Sequence, residues 1–234
     1  MKRTELPPRR VTTADGSTTF HSREYDEHYH SKSGAKEESF KKYVEPCRIE
    51  ALAKEGHVAI LDFCFGLGYN ACAALDTAFT ANPNCVIDVW ALEKDDGLLQ
   101  ELLTFDGPFK SYELIHDLLK NRTHTGYLLR SGNITIKMLV GDGRETMKGL
   151  PSAHFDAIFF DPFSPPKNPE LWTVEVFREM VRTMGQQAVL ATYSCARTVR
   201  DAMKAAGLIV KDGPVVGRRS PSTLCTLPAA ERKL

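Results

Sequence analysis

From residue 58 to residue 63 the chain is apolar apart from one acid, and glycines at 56 and 66 close the run on both sides. A run of that length and character predicts a strand covered on both faces. Comparable runs follow at 86–92, 134–140, 155–160 and 188–193. Between them the apolar positions change to helical spacing, over 70–80, 95–120, 169–184 and 195–206, with a break in the second near Gly107-Pro108. Short strands around Ile209 and Leu224 end the pattern, separated by Gly213-Pro214 and the turn Gly217-Arg218-Arg219-Ser220-Pro221. Strands alternating with helices predict an α/β fold, a mostly parallel doubly wound sheet. The closing pair of strands would add an antiparallel edge hairpin.

The first quarter of the chain differs. Residues 1–30 are polar and rich in turn formers, with a tight turn expected at Ala14-Asp15-Gly16-Ser17. Phe40, Tyr43, Val44, Cys47 and Leu52 then recur at helical spacing over 34–55, where Pro46 should kink or split the helix. The expected organisation is an N-terminal extension, residues 1–55, packing on one domain, residues 56–234. No internal repeat or low-complexity segment is visible.

Charge and cysteine usage narrow the picture. The 234 residues carry a formal net charge of zero, so the chain as a whole is no polyanion binder. From Cys195 onward, however, eight Lys or Arg stand against three acids, a local excess that could meet phosphates or simply solvate a surface. No apolar run approaches the ~18 residues of a membrane span, and Met1 to Arg10 has basic residues with no apolar stretch behind them. Six cysteines without a C-x-x-C pair suit free thiols in a reducing, cytoplasmic location rather than disulfides or zinc. His21, His28 and His30 lie in the polar extension without partnering cysteines and are expected to be surface histidines, with no metal. Cys195 has no His–acid pair placed to activate it.

In open α/β sheets ligands bind beyond the carboxyl ends of the strands, where strand order reverses. Four strand ends carry small or acidic residues here. The first reads Asp62-Phe63-Cys64-Phe65-Gly66-Leu67-Gly68-Tyr69-Asn70, where two glycines let backbone turn sharply toward a ligand, although Gly66-x-Gly68-x-x-Ala71 also meets the dinucleotide pattern. The second is Glu93, which can take both hydroxyls of a ribose. The third, Gly141-Asp142-Gly143-Arg144, offers a carboxylate to an adenine amine, and Asp142 could equally cap a helix. The fourth, Asp161-Pro162-Phe163-Ser164-Pro165-Pro166-Lys167-Asn168-Pro169-Glu170-Leu171-Trp172, has four prolines in eight residues and so makes a rigid rim. There Asp161 could orient an amine and accept its proton, and Phe163 could supply an aromatic wall. Acid, Gly-Asp and Asp-Pro on successive strands together point to S-adenosylmethionine and methylation of a nitrogen.

The fourth motif resembles the D-G/P-F-A/S-P-x-K-N-P-E-x-W signature of the MnmC-type tRNA methyltransferases. Thr13-Ala14-Asp15-Gly16-Ser17, the segment from Tyr29-His30-Ser31 through Gly34-Ala35 to Glu38, and Phe65-Gly66-Leu67-Gly68-Tyr69-Asn70 are similar to other segments of that family, in the same order. The resemblance implies a Rossmann-like class I fold and methylation of the aminomethyl nitrogen of 5-aminomethyl-(2-thio)uridine at the tRNA wobble position. It implies cofactor contacts at Phe65, Gly66, Gly68, Asn70, Glu93, Asp142 and Asp161, with Ser31 and Glu38 closing the pocket. Asp161 would be the catalytic residue. Phe163, Lys167, Arg218 and Arg219 are the candidate substrate contacts. The sequence ends at Leu234, too short for the flavin oxidase domain of two-domain members, so the stand-alone form is expected, with another enzyme supplying the aminomethyl group. Two departures stand out: Asp62-x-Cys64, where an acid followed by glycine is commoner, and Pro162 in place of a frequent glycine. A small-molecule amine methyl- or aminopropyltransferase, a non-catalytic RNA-binding module and, more distantly, an NAD enzyme are the alternative readings.

Overall fold

The computed structural model describes residues 9–30, 34–217 and 219–229. Two sheets organise them. The smaller is an antiparallel meander, β1 (Arg9–Thr12), β2 (Thr18–Ser22) and β3 (Glu27–His28). Its first turn is knotted by Asp15, whose Oδ1 accepts hydrogen bonds from the Thr13 hydroxyl at 2.6 Å and the Ser17 amide at 3.0 Å. The polar composition of this stretch gave no strand periodicity. Its strands are short and bury single anchors such as Phe20, which packs edge-on against Phe105.

Next comes α1 (Ala35–Glu38), which widens without interruption into a π-helical turn, Ser39–Val44. The expected break at Pro46 is present: Arg48 takes a left-handed conformation before α2 (Ile49–Glu55) begins. The main sheet then unfolds in sequence as β4 (His57–Phe63), α3 (Tyr69–Ala81), β5 (Val86–Glu93), α4 (Asp96–Leu102), α5 (Tyr112–Lys120), β6 (Gly126–Ser131), β7 (Ile134–Val140), α6 (Gly143–Thr146), β8 (Phe155–Phe160), α7 (Val174–Thr183), β9 (Met184–Thr192), α8 (Arg197–Ala205), β10 (Ile209–Asp212) and β11 (Thr223–Thr226).

Strand order is β10-β11-β9-β8-β4-β5-β7-β6. The five central strands from β9 to β7 are parallel, and both edges are antiparallel. The edge hairpin β10–β11 follows the expectation. The other edge strand, β6, was not foreseen, because the sequence around it carries no clear alternation.

The apolar run of β4 splits by pleat: Val58 and Ile60 enter one core, with α2, α3, α4 and α5, while Ala59, Leu61 and Phe63 enter the other, with α7 and α8. Burial on both faces is why the run is apolar throughout. The segment expected as one helix over 169–184 starts as a 3-10 turn, Pro169–Leu171, and its α-helix begins only after the Thr173 cap. Among the described residues no helix is long and apolar enough to cross a membrane.

Candidate active site

After β4 the chain adds β5 and β7 on one side and then returns to lay β8 on the other. Strand order therefore reverses between β4 and β8, and there a crevice opens at the carboxyl ends of the strands. It forms a cavity of about 520 Å³, reached by Gly66, Glu93, Asp142 and Asp161 from the ends of four strands.

The β4–α3 turn follows from its glycines. Gly66 and Gly68 have φ of +56° and +75°, in the left-handed region that residues with a Cβ avoid. A Cβ on Gly68 would lie 2.5 Å from the Phe65 ring. Phe65 is thereby folded over the start of α3 and buried in the core, and neither Phe65 nor Gly68 lines the cavity, contrary to the expectation for both. Cys64, at φ +67°, occupies a third left-handed position, the one where glycine is commoner. Asp62 is buried and ties the turn down by accepting a hydrogen bond from the Ala71 amide at 3.1 Å. Burial drives its carboxyl well above the usual range, with Asp161 nearby adding to the effect.

Glu93 ends β5 as a buried carboxylate fixed entirely by backbone. Oε2 accepts from the Gly66 amide and Oε1 from the Lys94 and Asp95 amides, each at 2.8 Å. Burial still raises its pKa against those three donors. Asp142 shows the capping role: its Oδ1 accepts from the Arg144 amide at 2.9 Å at the start of α6. The Arg144 side chain also grips both carboxylate oxygens and holds that group below the usual carboxylate range.

Asp161 is held differently, by side chains. Tyr43 donates to its Oδ1 at 2.5 Å and Asn70 to its Oδ2 at 3.0 Å, while its amide donates to Phe63 O, the last residue of β4, at 3.2 Å. Burial pushes the carboxyl up to about 6, although both hydrogen bonds favour its ionised form. Beside it, Glu38 is buried and pairs with Lys42 one helical turn away, Nζ to Oε1 at 2.5 Å. That pairing leaves little net charge on the α1 side of the cavity.

The proline-rich rim is anchored from below. Trp172 Nε1 donates to Phe163 O at 2.9 Å and its ring is buried edge-on to Phe160 and Tyr193, so burial is its role. Phe163 lines the cavity. Lys167 does not; it points to Asp26, with Nζ 3.5 Å from Oδ2. Arg219 is exposed and does not line the cavity, and Ser31 and Arg218 lie outside the described residues. In the basic C-terminal stretch Arg200 is committed internally, to Asp212 at 2.6 Å and to Thr223 at 2.9 Å.

Several lining residues escaped the sequence reading. Tyr43 was legible only as an apolar position of a helix, because nothing local marks its hydroxyl for Asp161. Tyr25 and Tyr29 are aromatics in a polar stretch, a signal that could have been used. The expectation of surface histidines needs correction at His30, which stacks on Tyr69 with ring centroids 4.6 Å apart. Burial lowers its pKa to about 4. Among the described residues no group of three or more His, Cys, Asp or Glu is placed to hold a metal ion. All six cysteines are free thiols.

Comparison with known proteins fits this arrangement. A profile of S-adenosyl-L-methionine-dependent methyltransferases matches residues 111–228, half of the chain. The crystal structure of MNMC2 from Aquifex aeolicus superposes with a TM-score of 0.82 at 33% identity, covering 97% of this chain and 73% of that one. The chain belongs to the MnmC-type family of S-adenosyl-L-methionine-dependent methyltransferases. An uncharacterized protein of Methanocaldococcus jannaschii is 32% identical over 216 residues, 92% of this chain and 58% of the relative. The tRNA 5-methylaminomethyl-2-thiouridine biosynthesis bifunctional protein MnmC of Pseudomonas fluorescens is 29% identical over 214 residues, 85% of this chain. The chain spans 32% of that protein's length.

Proposed function

We propose that this methyltransferase acts on the primary amine of 5-aminomethyl-(2-thio)uridine at the wobble position of tRNA, giving the methylaminomethyl product. The observation that carries the reading is Asp161: a buried carboxyl at the end of β8, lining the same cavity as Glu93, with its pKa raised to about 6. The name of the Pseudomonas relative supports the substrate.

The cavity suits the cofactor. The left-handed Gly66 turn leaves space that a side chain would fill, since a Cβ there would already meet the Tyr29 ring at 3.2 Å. The Glu93 carboxylate accepts three backbone bonds, two on Oε1 and one on Oε2, and keeps one lone pair of Oε2 for a ribose hydroxyl. Gly66, Glu93 and Asp142 would hold the adenosyl portion, with Glu38 and Asn70 beside Asp161. When bound, S-adenosylmethionine supplies an electrophilic methyl group.

The work of the chain is to present a neutral amine to it. An alkylammonium has no lone pair and must lose a proton before it can act as a nucleophile. Asp161 would accept a hydrogen bond from the amine, stabilise the positive charge that develops on nitrogen, and take the proton that leaves. A carboxyl with pKa near the working pH suits that task better than one at the ordinary 3.8. Tyr43 and Asn70 fix its orientation and leave one lone pair on each oxygen for the amine. In this reading residues 1–55 are an extension packed on a methyltransferase domain of 56–234, the site of action is the cytoplasm, and a separate enzyme supplies the aminomethyl group.

The test is transfer of labelled methyl to tRNA carrying 5-aminomethyluridine or its 2-thio form, with nucleoside analysis of the product. Label in 5-methylaminomethyluridine supports the reading. Transfer to free amines without RNA, or to no tRNA at all, overturns it.

A further inference from the structure

The cavity is bridged by residues 24–29, the turn after β2 together with β3 and Tyr29. On one side the Lys94 ammonium, next to Glu93, donates to Glu24 Oε1 at 3.0 Å and to the Tyr25 hydroxyl at 3.3 Å. On the other side Glu27 accepts from the Ser164 amide at 2.9 Å, and Asp26 faces Lys167. The segment therefore spans the crevice from the end of β5 to the rim after β8. At its centre the Tyr25 ring stacks on Phe163, with centroids 4.5 Å apart and planes 23° from parallel. Tyr29 meets Phe163 edge-on at 4.9 Å. Both members of the stacked pair line the cavity.

From this geometry we infer that Tyr25 is the second wall of a stacking site and closes on the pyrimidine base of the substrate against Phe163. The inference rests on the tRNA reading above. Three features carry it. Phe163 stands two residues beyond Asp161 on one rigid loop, so a base lying on its face is presented to the same cavity as the carboxyl. The stacked contact is of the kind a nucleobase replaces, since every base has a π face to offer both rings. Finally, beside Tyr25 the fastening is light: Lys94 and Glu24 are both more than half exposed, at 56% and 59%, and exposed ion pairs contribute little, while β3 and Glu27 hold the far end of the segment in place. Lifting the segment to admit a base between the two rings exchanges one aromatic contact for two.

The experiment compares wild type, Tyr25→Phe, Tyr25→Leu and Tyr25→Ala in steady-state methylation of tRNA carrying 5-aminomethyluridine. Binding of S-adenosylhomocysteine is measured in parallel by calorimetry. The leucine and alanine variants should raise KM for tRNA about tenfold, the loss of one base–aromatic contact. Tyr25→Phe should stay near wild type, and the Kd for S-adenosylhomocysteine should be the same in all four within about twofold. A KM for tRNA that is unchanged in both the leucine and alanine variants overturns the inference while leaving the reading of the enzyme intact. Equal losses in nucleoside binding and tRNA KM overturn it as well, because Tyr25 would then be covering the cofactor. A wild type that methylates no tRNA overturns the substrate reading and this inference together.

Discussion

The phenol of Tyr43 donates to Asp161 Oδ1 at 2.5 Å, joining a π-helical turn near the start of the chain to the end of the fourth parallel strand. This bond and that from Asn70 favour the charged carboxylate, while burial favours the neutral acid and prevails. Removing either donor should therefore raise the pKa of Asp161 further.

Tyr43→Phe tests that balance. One neutral hydrogen bond contributes about 1 kcal/mol net, which corresponds to somewhat under one pH unit. The acid limb of the kcat–pH profile, set by ionised Asp161, should move upward from about 6 by that amount. An unchanged limb would mean that another group titrates there.

Asp161→Asn should lower turnover by a factor of about 10² to 10⁴ with the fold retained. Stability should move the other way. With the native pKa at about 6 and the unfolded value near 3.8, the folded state holds the proton longer. The wild type thus loses stability as pH rises from about 4 to 6 and carries the full cost of a buried charge above that. The asparagine variant should lack this decline and melt higher than wild type at pH 7.5, as checked by thermal unfolding across pH; a lower melting temperature there would contradict the burial argument.

Gly68→Ala should destabilise by about 2 kcal/mol or more, combining the cost of a left-handed residue bearing a Cβ with a clash against the buried Phe65 ring. Chemical denaturation reads this directly. A change below about half a kcal/mol would contradict both the strain at this position and the clash with Phe65.

A double-mutant cycle on Glu24→Gln and Lys94→Met should give a coupling energy below about 1 kcal/mol, as expected for an exposed pair. A larger value would mean that the bridge over the cavity is firmly closed.

Much of the architecture is local in origin and could be read from residues alone. The apolar run at 58–63 is buried on both faces, and the four strand-end motifs depend on turn glycines and strand-ending acids, whose roles follow from neighbours in sequence. The β1–β3 meander and β6 could not be read this way. Their strands carry no sustained alternation and exist because Phe20, Tyr127 and a few other anchors are buried by distant parts of the chain.

The sequence by itself determined which residue types stand at the carboxyl ends of the parallel strands, because strand length, turn chemistry and apolar period are short-range properties. Only the tertiary structure decided that Tyr43, Asn70 and Glu38 surround Asp161, that Phe65 turns into the core, and that Tyr25 meets Phe163. Those pairings join segments far apart in the chain, and they are fixed by strand order and by the packing of the N-terminal residues across the sheet's open end, which no local pattern encodes.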